Sequence, residues 1–397
     1  MKIPDYVNVL IEELSQHGYE AYVVGGAVRS ALLDLPVHDY DLTTNALPDE
    51  MKQVFHGYHC IETGIQHGTL TVISSHHPIE ITTYRKDSTY EDHRHPDAVE
   101  FTSALQEDCQ RRDFTINAMC YRPQEGILDF FHGKEDLKAG IIRCIGDPEK
   151  RFSEDALRIL RALRFASRLS FTIEPETDRV LREKKDTLSY VSTERITEEF
   201  NGILSSPGCA ACLENYRDVI GVFLPEILTI ATYDDVIASL KREQSSSPEV
   251  RMSLLLHPLH DTKTTSMILK RMKYANAFRN TVVDLLKYAE ADISTPIAMR
   301  TVLAGMKTDI DTYLTFRCAL QENFNTPAAR IRYTELVNDD YCWKLSDLAV
   351  NGKDLTSLGY KGPGIGKALN AMLNSVINER VINDKTCLLK YLNDVNI

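Results

Sequence analysis

Asp39 and Asp41 are separated by a single tyrosine and follow a glycine pair, Gly25-Gly26. In extended backbone, residues two apart point to the same side, so both carboxylates aim at one spot. Paired oxygen donors of this kind suit hard divalent cations, Mg2+ above all, held between a triphosphate and an attacking hydroxyl. An apolar run, Tyr22-Val23-Val24, leads into the glycines, and Ala27 to Leu33 reads as a helix start. The expected order is strand, tight turn, helix. Glycine lets the backbone approach a ligand closely, and the free N–H groups of a helix start favour phosphate. Gly26 would supply an N–H there, with Arg29 within reach of the same phosphate. The chemistry is phosphoryl or nucleotidyl transfer; the bland alternative is a surface pair of Asx turns.

A second constellation has the donor and acceptor chemistry that recognition of a base requires. In Ser153-Glu154-Asp155-Ala156-Leu157-Arg158, a carboxylate and a guanidinium lie three residues apart. Cytosine offers an amino donor beside a ring acceptor, and so does adenine. Asp155 can accept from the amino group while Arg158 donates to the ring nitrogen. Guanine and uracil present the reverse order, and each unpaired group costs about 1–3 kcal/mol. The pair therefore selects C and A. Glu154, one helical turn before Arg158, is placed to orient its guanidinium. If Phe152 to Leu169 is one helix, Arg161 adjoins the pair and Arg164 falls nearly opposite Asp155.

Gly25-Gly26 followed by Asp39-Tyr40-Asp41 resembles the nucleotidyltransferase superfamily, with the fold of DNA polymerase beta. The fuller string GGAVRSALLDLPVHDYDLTT resembles the class II tRNA nucleotidyltransferases, or CCA-adding enzymes, and their relatives the bacterial poly(A) polymerases. Arg111-Arg112-Asp113-Phe114-Thr115-Ile116-Asn117-Ala118 matches that family's second motif, and Asp147 through Phe165 its nucleotide-selecting segment. The resemblance implies an α+β protein: a polymerase-beta-like head with a mixed sheet, then all-helical neck, body and tail. The corresponding divisions are a catalytic head at 1–142, a neck at 143–205, a body at 206–300 and a tRNA-binding tail at 301–397. It implies CTP and ATP as substrates, Mg2+ at Asp39 and Asp41, and tRNA recognised by its acceptor and T arms. Arg112 would reach the ribose or triphosphate and Asp113 a sugar hydroxyl, with Arg161 and Arg164 on phosphate. A third acid on a neighbouring strand is common in the superfamily. Glu80, in Ile79-Glu80-Ile81, either completes the acidic cluster or is an ordinary strand glutamate facing water.

The segment Asp87 to Pro96 is polar and poor in apolar anchors. It resembles the loop with which CCA-adding enzymes pass from CTP to ATP, although Arg94-His95-Pro96 departs from the usual Arg-Arg-Pro. Ser192 to Glu199 matches a further motif, explained by a serine cap and first-turn acids, and is expected to brace the neck without touching ligand. Gly359 to Lys367 resembles the tail segment, where glycines and lysines suit a backbone phosphate. An A-adding enzyme or poly(A) polymerase of the same fold shares these local motifs. A non-catalytic RNA-binding protein would have no use for the acidic pair.

The remainder of the chain is consistent with a cytoplasmic enzyme. Its 397 residues are 43% hydrophobic and 26% charged, ordinary for a globular protein. No apolar run approaches the ~18 residues of a membrane span. Nine scattered cysteines fit a reducing compartment better than a disulfide framework. The net charge of −12 argues against indiscriminate nucleic-acid binding. A local basic groove is enough, and Lys150 to Arg168 supplies one. Short β-rich runs occupy the first part of the chain (Ala21–Val24, Gly68–Ile73, Ile79–Tyr84), and helical periodicity follows from about Pro148. His76-His77 before Pro78 reads as a hairpin tip. Ser205-Ser206-Pro207-Gly208 and Gln244 to Pro248 are linker candidates. Cys209-Ala210-Ala211-Cys212 has no second pair to make a zinc site. His257-Pro258-Leu259-His260-Asp261 lacks the further ligands of a metal phosphohydrolase.

Overall fold

The computed structural model describes residues 1–87 and 99–395. The loop expected to switch nucleotides lies almost wholly outside them. Two compact units are present, Met1–Leu228 and Thr229–Ile397.

The first unit begins with helix α1 (Asp5–Gln16) and a mixed head. Its strands are β1 (Ala21–Val24), β2 (Asp41–Thr44), β3 (His59–Ile61), β4 (Thr69–Ser74), β5 (His77–Thr83), β6 (Arg85–Asp87), β7 (Val99–Phe101), β8 (Cys120–Arg122) and β9 (Gly126–Leu128). Seven of them form one sheet in the order β3-β4-β5-β2-β1-β8-β9. β1 is wholly apolar and buried, as a central strand must be, and pairs antiparallel with β2 and β8. β2 runs parallel to β5, with Asp41 opposite Glu80. The β4–β5 hairpin turns at Ser75-His76, both with positive φ, the conformation a two-residue hairpin turn demands. Tyr22, Val24, Tyr84, Leu105 and Cys120 fill the core on one face of the sheet.

Helices α2 (Gly26–Leu32), α3 (Pro48–Val54), α4 (Leu105–Gln110) and α5 (Gly133–Ala139) complete the head. The helical stretch that follows contains α6 (Pro148–Glu154), α7 (Leu157–Leu169), α8 (Pro175–Glu183) and α9 (Thr193–Leu204). The expected continuous helix from Phe152 to Leu169 is interrupted. Asp155 is extended, with φ −145° and ψ 103°, and its Oδ1 accepts the Leu157 N–H at 3.1 Å. A short acid that bonds backbone two residues on competes with the helix and restarts it.

Ser205 to Gly208 is a close-packed turn and no free linker. Ser206 is buried, the Gly208 N–H bonds the Ser167 carbonyl, and a Cβ at Gly208 would collide with the Ser167 backbone. The second unit is helical. Its other linker candidate is clamped too: buried Glu243 accepts the Ser245 and Ser246 N–H groups and the Arg251 guanidinium. Towards the C-terminus, Val350, Leu355, Ala368, Met372, Ile377, Leu388 and Leu392 form a separate apolar core.

Candidate active site

β1 delivers the chain to Gly25, whose φ of +68° and ψ of −129° suit glycine alone. The turn starts α2, and the Gly25 Cα faces the Arg112 guanidinium, 3.5 Å from where a Cβ would stand. The expected strand–turn–helix is present, although α2 has only two turns. Beyond it, Tyr40 and Leu42 are buried while Asp39 and Asp41 are exposed, the alternation the sequence required. Asp41 opens β2 and Asp39 lies two residues before it.

A cavity of about 980 Å3 lies over this edge of the sheet. Every site residue expected from sequence lines it: Asp39, Asp41, Glu80, Gly26, Arg29, Arg112, Asp113, Asp155, Arg158, Arg161 and Arg164. The acids occupy one wall. Although Asp41 is open to solvent, its partial enclosure in the cavity and then Glu80 push its carboxyl upward, with Arg112 opposing and Asp39 adding to the rise. Negative charge is thus crowded beyond what the neighbouring cation offsets, and an all-carboxylate donor set fits a hard divalent ion. Among the described residues, no three His, Cys, Asp or Glu side chains are already assembled as a metal cluster. Asp39, Asp41 and Glu80 are adjacent, not preformed into one.

The opposite wall is cationic. Arg158, Arg161, Arg164, Phe165 and Arg168 fall within about 120° of one face of α7. The Phe165 ring has the guanidinium carbons of Arg164, Arg29 and Arg161 at 4.4, 5.0 and 5.4 Å from its centroid. Arg161 pairs with Asp113 at 2.6 Å and Arg164 with Glu199 at 2.6 Å. Arg29, only 6% exposed, donates to Asn117. Burial, followed by Arg168, lowers its pKa to about 10, with Asp113 opposing and Arg164 and Arg161 adding to the fall. This wall holds more positive charge than the protein neutralises.

Asp155 and Arg158 line the same cavity. Arg158 is 8% exposed. Its Nη1 donates to Glu154 at 2.8 Å and to the Arg151 carbonyl at 3.3 Å, and its Nη2 to the Arg111 carbonyl at 3.0 Å. The orienting role expected of Glu154 is therefore visible. Arg164 does not lie opposite Asp155, because Asp155 is not part of α7 and the helical count between them fails. Asp113 is more enclosed than a residue awaiting a sugar hydroxyl would be. Its Oδ2 accepts from Arg161 and its Oδ1 from the Asn117 amide and the Phe114 N–H. Burial works against its charge, but Arg161 prevails and holds the carboxyl below the usual range.

Sequence reasoning missed three participants. Arg195, on the first turn of α9, lines the cavity and donates to Asp155 at 2.8 Å. The Ser192 motif is therefore part of the site, and Ser192, although at the cap position, makes no side-chain cap bond. Asp108, fully buried, bridges Arg111 at 2.8 Å and Arg112 at 3.3 Å and accepts from Thr43 of β2. Its spacing of three and four residues before two arginines was the available signal. Phe165, named only as the end of the nucleotide-selecting segment, is the ring shared by three guanidinium groups.

The head from 21 to 143 matches the family model described as "Poly A polymerase head domain". Residues 243–392 match tRNA nucleotidyltransferase domain 2, and residues 170–227 match "Probable RNA and SrmB- binding site of polymerase A". The CCA-adding enzyme of Lactobacillus helveticus is 36% identical over 100% of this chain and 99% of its own. The chain belongs to the CCA-adding enzyme family. The Geobacillus stearothermophilus member is 33% identical over 98% of this chain and 96% of its own. The crystal structure of the Bacillus stearothermophilus CCA-adding enzyme in complex with CTP superposes with a TM-score of 0.80. It is 30% identical, covering 100% of this chain and 98% of that one. A Thermotoga maritima CCA-adding enzyme complexed with tRNA shares the fold, with a TM-score of 0.70 at 20% identity over 99% and 96% of the two chains. Nucleotidyltransferases of this family work with a divalent metal. The α+β class is as expected, a polymerase-beta-like head followed by helices. Among the described residues, no helix is long and apolar enough to cross a membrane.

Proposed function

We propose that this protein adds C, C and A to the 3′ end of tRNA from CTP and ATP, without a nucleic-acid template, releasing pyrophosphate. The observation that carries the reading is a single cavity lined at once by the acids Asp39, Asp41 and Glu80, by the arginines of α2 and α7, and by Asp155. End-to-end likeness to CCA-adding enzymes favours this product over an A-only one.

Asp39 and Asp41 hold Mg2+, with Glu80 beside Asp41 to complete the donor set. Held there, the ion would supply charge neutralisation for the triphosphate and the departing pyrophosphate and would lower the pKa of the primer 3′-hydroxyl. The Gly25-Gly26 turn lets backbone N–H groups close on the phosphates. Arg29, Arg161 and Arg164 offset the charge that moves onto pyrophosphate. Arg112, fixed by Asp108, reaches the sugar and phosphate, and Asp113 sets Arg161 against them. Asp155 accepts the amino hydrogen of C or A. Arg158 has committed three of its five N–H donors to protein, which leaves two for the ring nitrogen.

Residues 1–142 act as the catalytic head, 143–205 as the nucleotide-selecting neck, 206–300 as body and 301–397 as tail. The tail meets the stacked acceptor and T arms by shape. A reducing cytoplasm suits nine cysteines that form no disulfide, of which Cys109 and Cys120 stand 3.2 Å apart. The test is incubation of tRNA lacking its 3′ end with CTP alone, ATP alone and both, followed by sequencing. Complete CCA only with both nucleotides is expected. Runs of A from ATP alone would make the protein a poly(A) polymerase, and no extension would remove the enzymatic reading.

A further inference from the structure

Asp155 is the one base-reading residue that its helix does not hold. It sits in the break between α6 and α7, in extended backbone. An acid there is free to turn unless something outside its own segment fixes it. Its Oδ1 is engaged by the Leu157 N–H, and its Oδ2 accepts from Arg195 Nη2 at 2.8 Å. Arg195 comes from α9, which packs along α7. Its Nη1 is shielded from solvent and has no hydrogen-bond partner among the described residues. The guanidinium thus stays in the cavity wall with one arm on Asp155 and the other unspent.

We infer that Arg195 is a positioning residue for base selection, acting through Asp155; the inference rests on the function proposed above. A carboxylate has about four lone-pair sites. The Leu157 N–H and Arg195 take one on each oxygen, so each keeps one for the amino hydrogen of C or A. The two fixed donors set the plane of the carboxylate and so the direction in which its remaining lone pairs face the base. A rotated Asp155 would present the wrong edge and lose its preference for an amino hydrogen over the carbonyl of G or U. Arg158 is set from the other side by Glu154 and two backbone carbonyls, so the acid and the guanidinium have independent supports.

The experiment compares wild type, Arg195→Met, Arg195→Lys and Asp155→Asn in single-nucleotide addition to tRNA with each of the four triphosphates, with melting temperatures alongside. Arg195→Met is expected to raise KM for CTP and ATP by about ten- to a hundredfold, the worth of one charge-assisted hydrogen bond. It should also relax rejection of GTP and UTP, with the effect falling mainly on KM. Arg195→Lys, which keeps a donor and the charge, should recover most of both. A purely structural arginine would lower kcat/KM equally for all four triphosphates in step with melting temperature, and that result overturns the inference. Wild-type discrimination in Arg195→Met, while Asp155→Asn has lost it, overturns it as well. Undiminished discrimination in Asp155→Asn would instead refute the base-reading function beneath it.

Discussion

Glu154 Oε2 lies 2.8 Å from Arg158 Nη1, spanning the break at Asp155 from the last residue of α6 to the first turn of α7. The same oxygen takes Arg151 at 2.8 Å, and Arg151 is tied in turn to the Ile145 carbonyl. Arg158 is thereby referred to the start of the neck. Glu154→Ala is expected to raise KM for CTP and ATP alike by about tenfold, at least one charge-assisted hydrogen bond. Glu154→Gln should fall between. Steady-state kinetics with both nucleotides checks this, and unchanged KM values in Glu154→Ala would contradict it.

Asp41 and Glu80 face each other on parallel strands with little to neutralise them. Asp41→Asn should leave the unliganded protein as stable as wild type or slightly more so, since a repulsive charge is removed. Its turnover should fall by more than about a hundredfold, because loss of mere outer-sphere partners already costs 10–100-fold at metal sites. Dialysis against a chelator should stop wild-type addition, and Mg2+ should restore it. Melting curves beside turnover decide the matter, and an active Asp41→Asn would rule out the assignment.

Arg29 is buried among cations, and its pKa falls to about 10. That depression means the charged form is held at a cost in the empty site. Arg29→Met, of similar shape, should therefore leave the melting temperature unchanged or higher while weakening triphosphate binding. Pyrophosphate should stabilise wild type more than the variant, less so as ionic strength rises. Calorimetry at low and high salt measures both effects. Equal stabilisation of the two proteins would show that Arg29 does not meet phosphate.

Asp108 carries the pH dependence. Burial alone would push its carboxyl up, but Arg111 and Arg112 outweigh that and leave it below the ordinary value. A depressed folded-state pKa gives stability that is present above the unfolded value of about 3.9 and is lost as pH falls through the folded one. Asp108→Asn is expected to cost about 3 kcal/mol at neutral pH. This is the low end for a broken buried pair, because both arginines keep some solvent. In urea unfolding, the gap between wild type and variant should close as pH drops below about 4. A gap that is constant with pH would mean that the charge on Asp108 is not what matters.

The acidic pair, the glycine turn and the nucleotide-selecting segment were legible because backbone period and residue chemistry agree there. Tyr40 and Leu42 bury between Asp39 and Asp41, so alternation alone placed both carboxylates on one side. Arg164 and Asp155 were misplaced because a hydrogen bond from the Leu157 N–H ends one helix and begins another, and helical periodicity is blind to a single competing side chain. Arg195 and Asp108 were missed for a different reason. Arg195 acts on a partner brought near only by folding, from α9 to Asp155, whereas the local spacing of Asp108 to its two arginines gave no sign of its burial against Thr43 of β2. The turn at Ser205 to Gly208 has the composition of a linker, but a close backbone approach to Ser167 requires its glycine.

The most direct measurement replaces both base-reading side chains, Asp155→Ala with Arg158→Ala. It follows single-nucleotide addition from CTP, ATP, GTP and UTP to tRNA lacking its 3′ end. Wild type should take C and A and refuse G and U, and the double variant should lose that preference while still adding nucleotides slowly. A double variant as selective as wild type would contradict the claim that these two side chains choose the base.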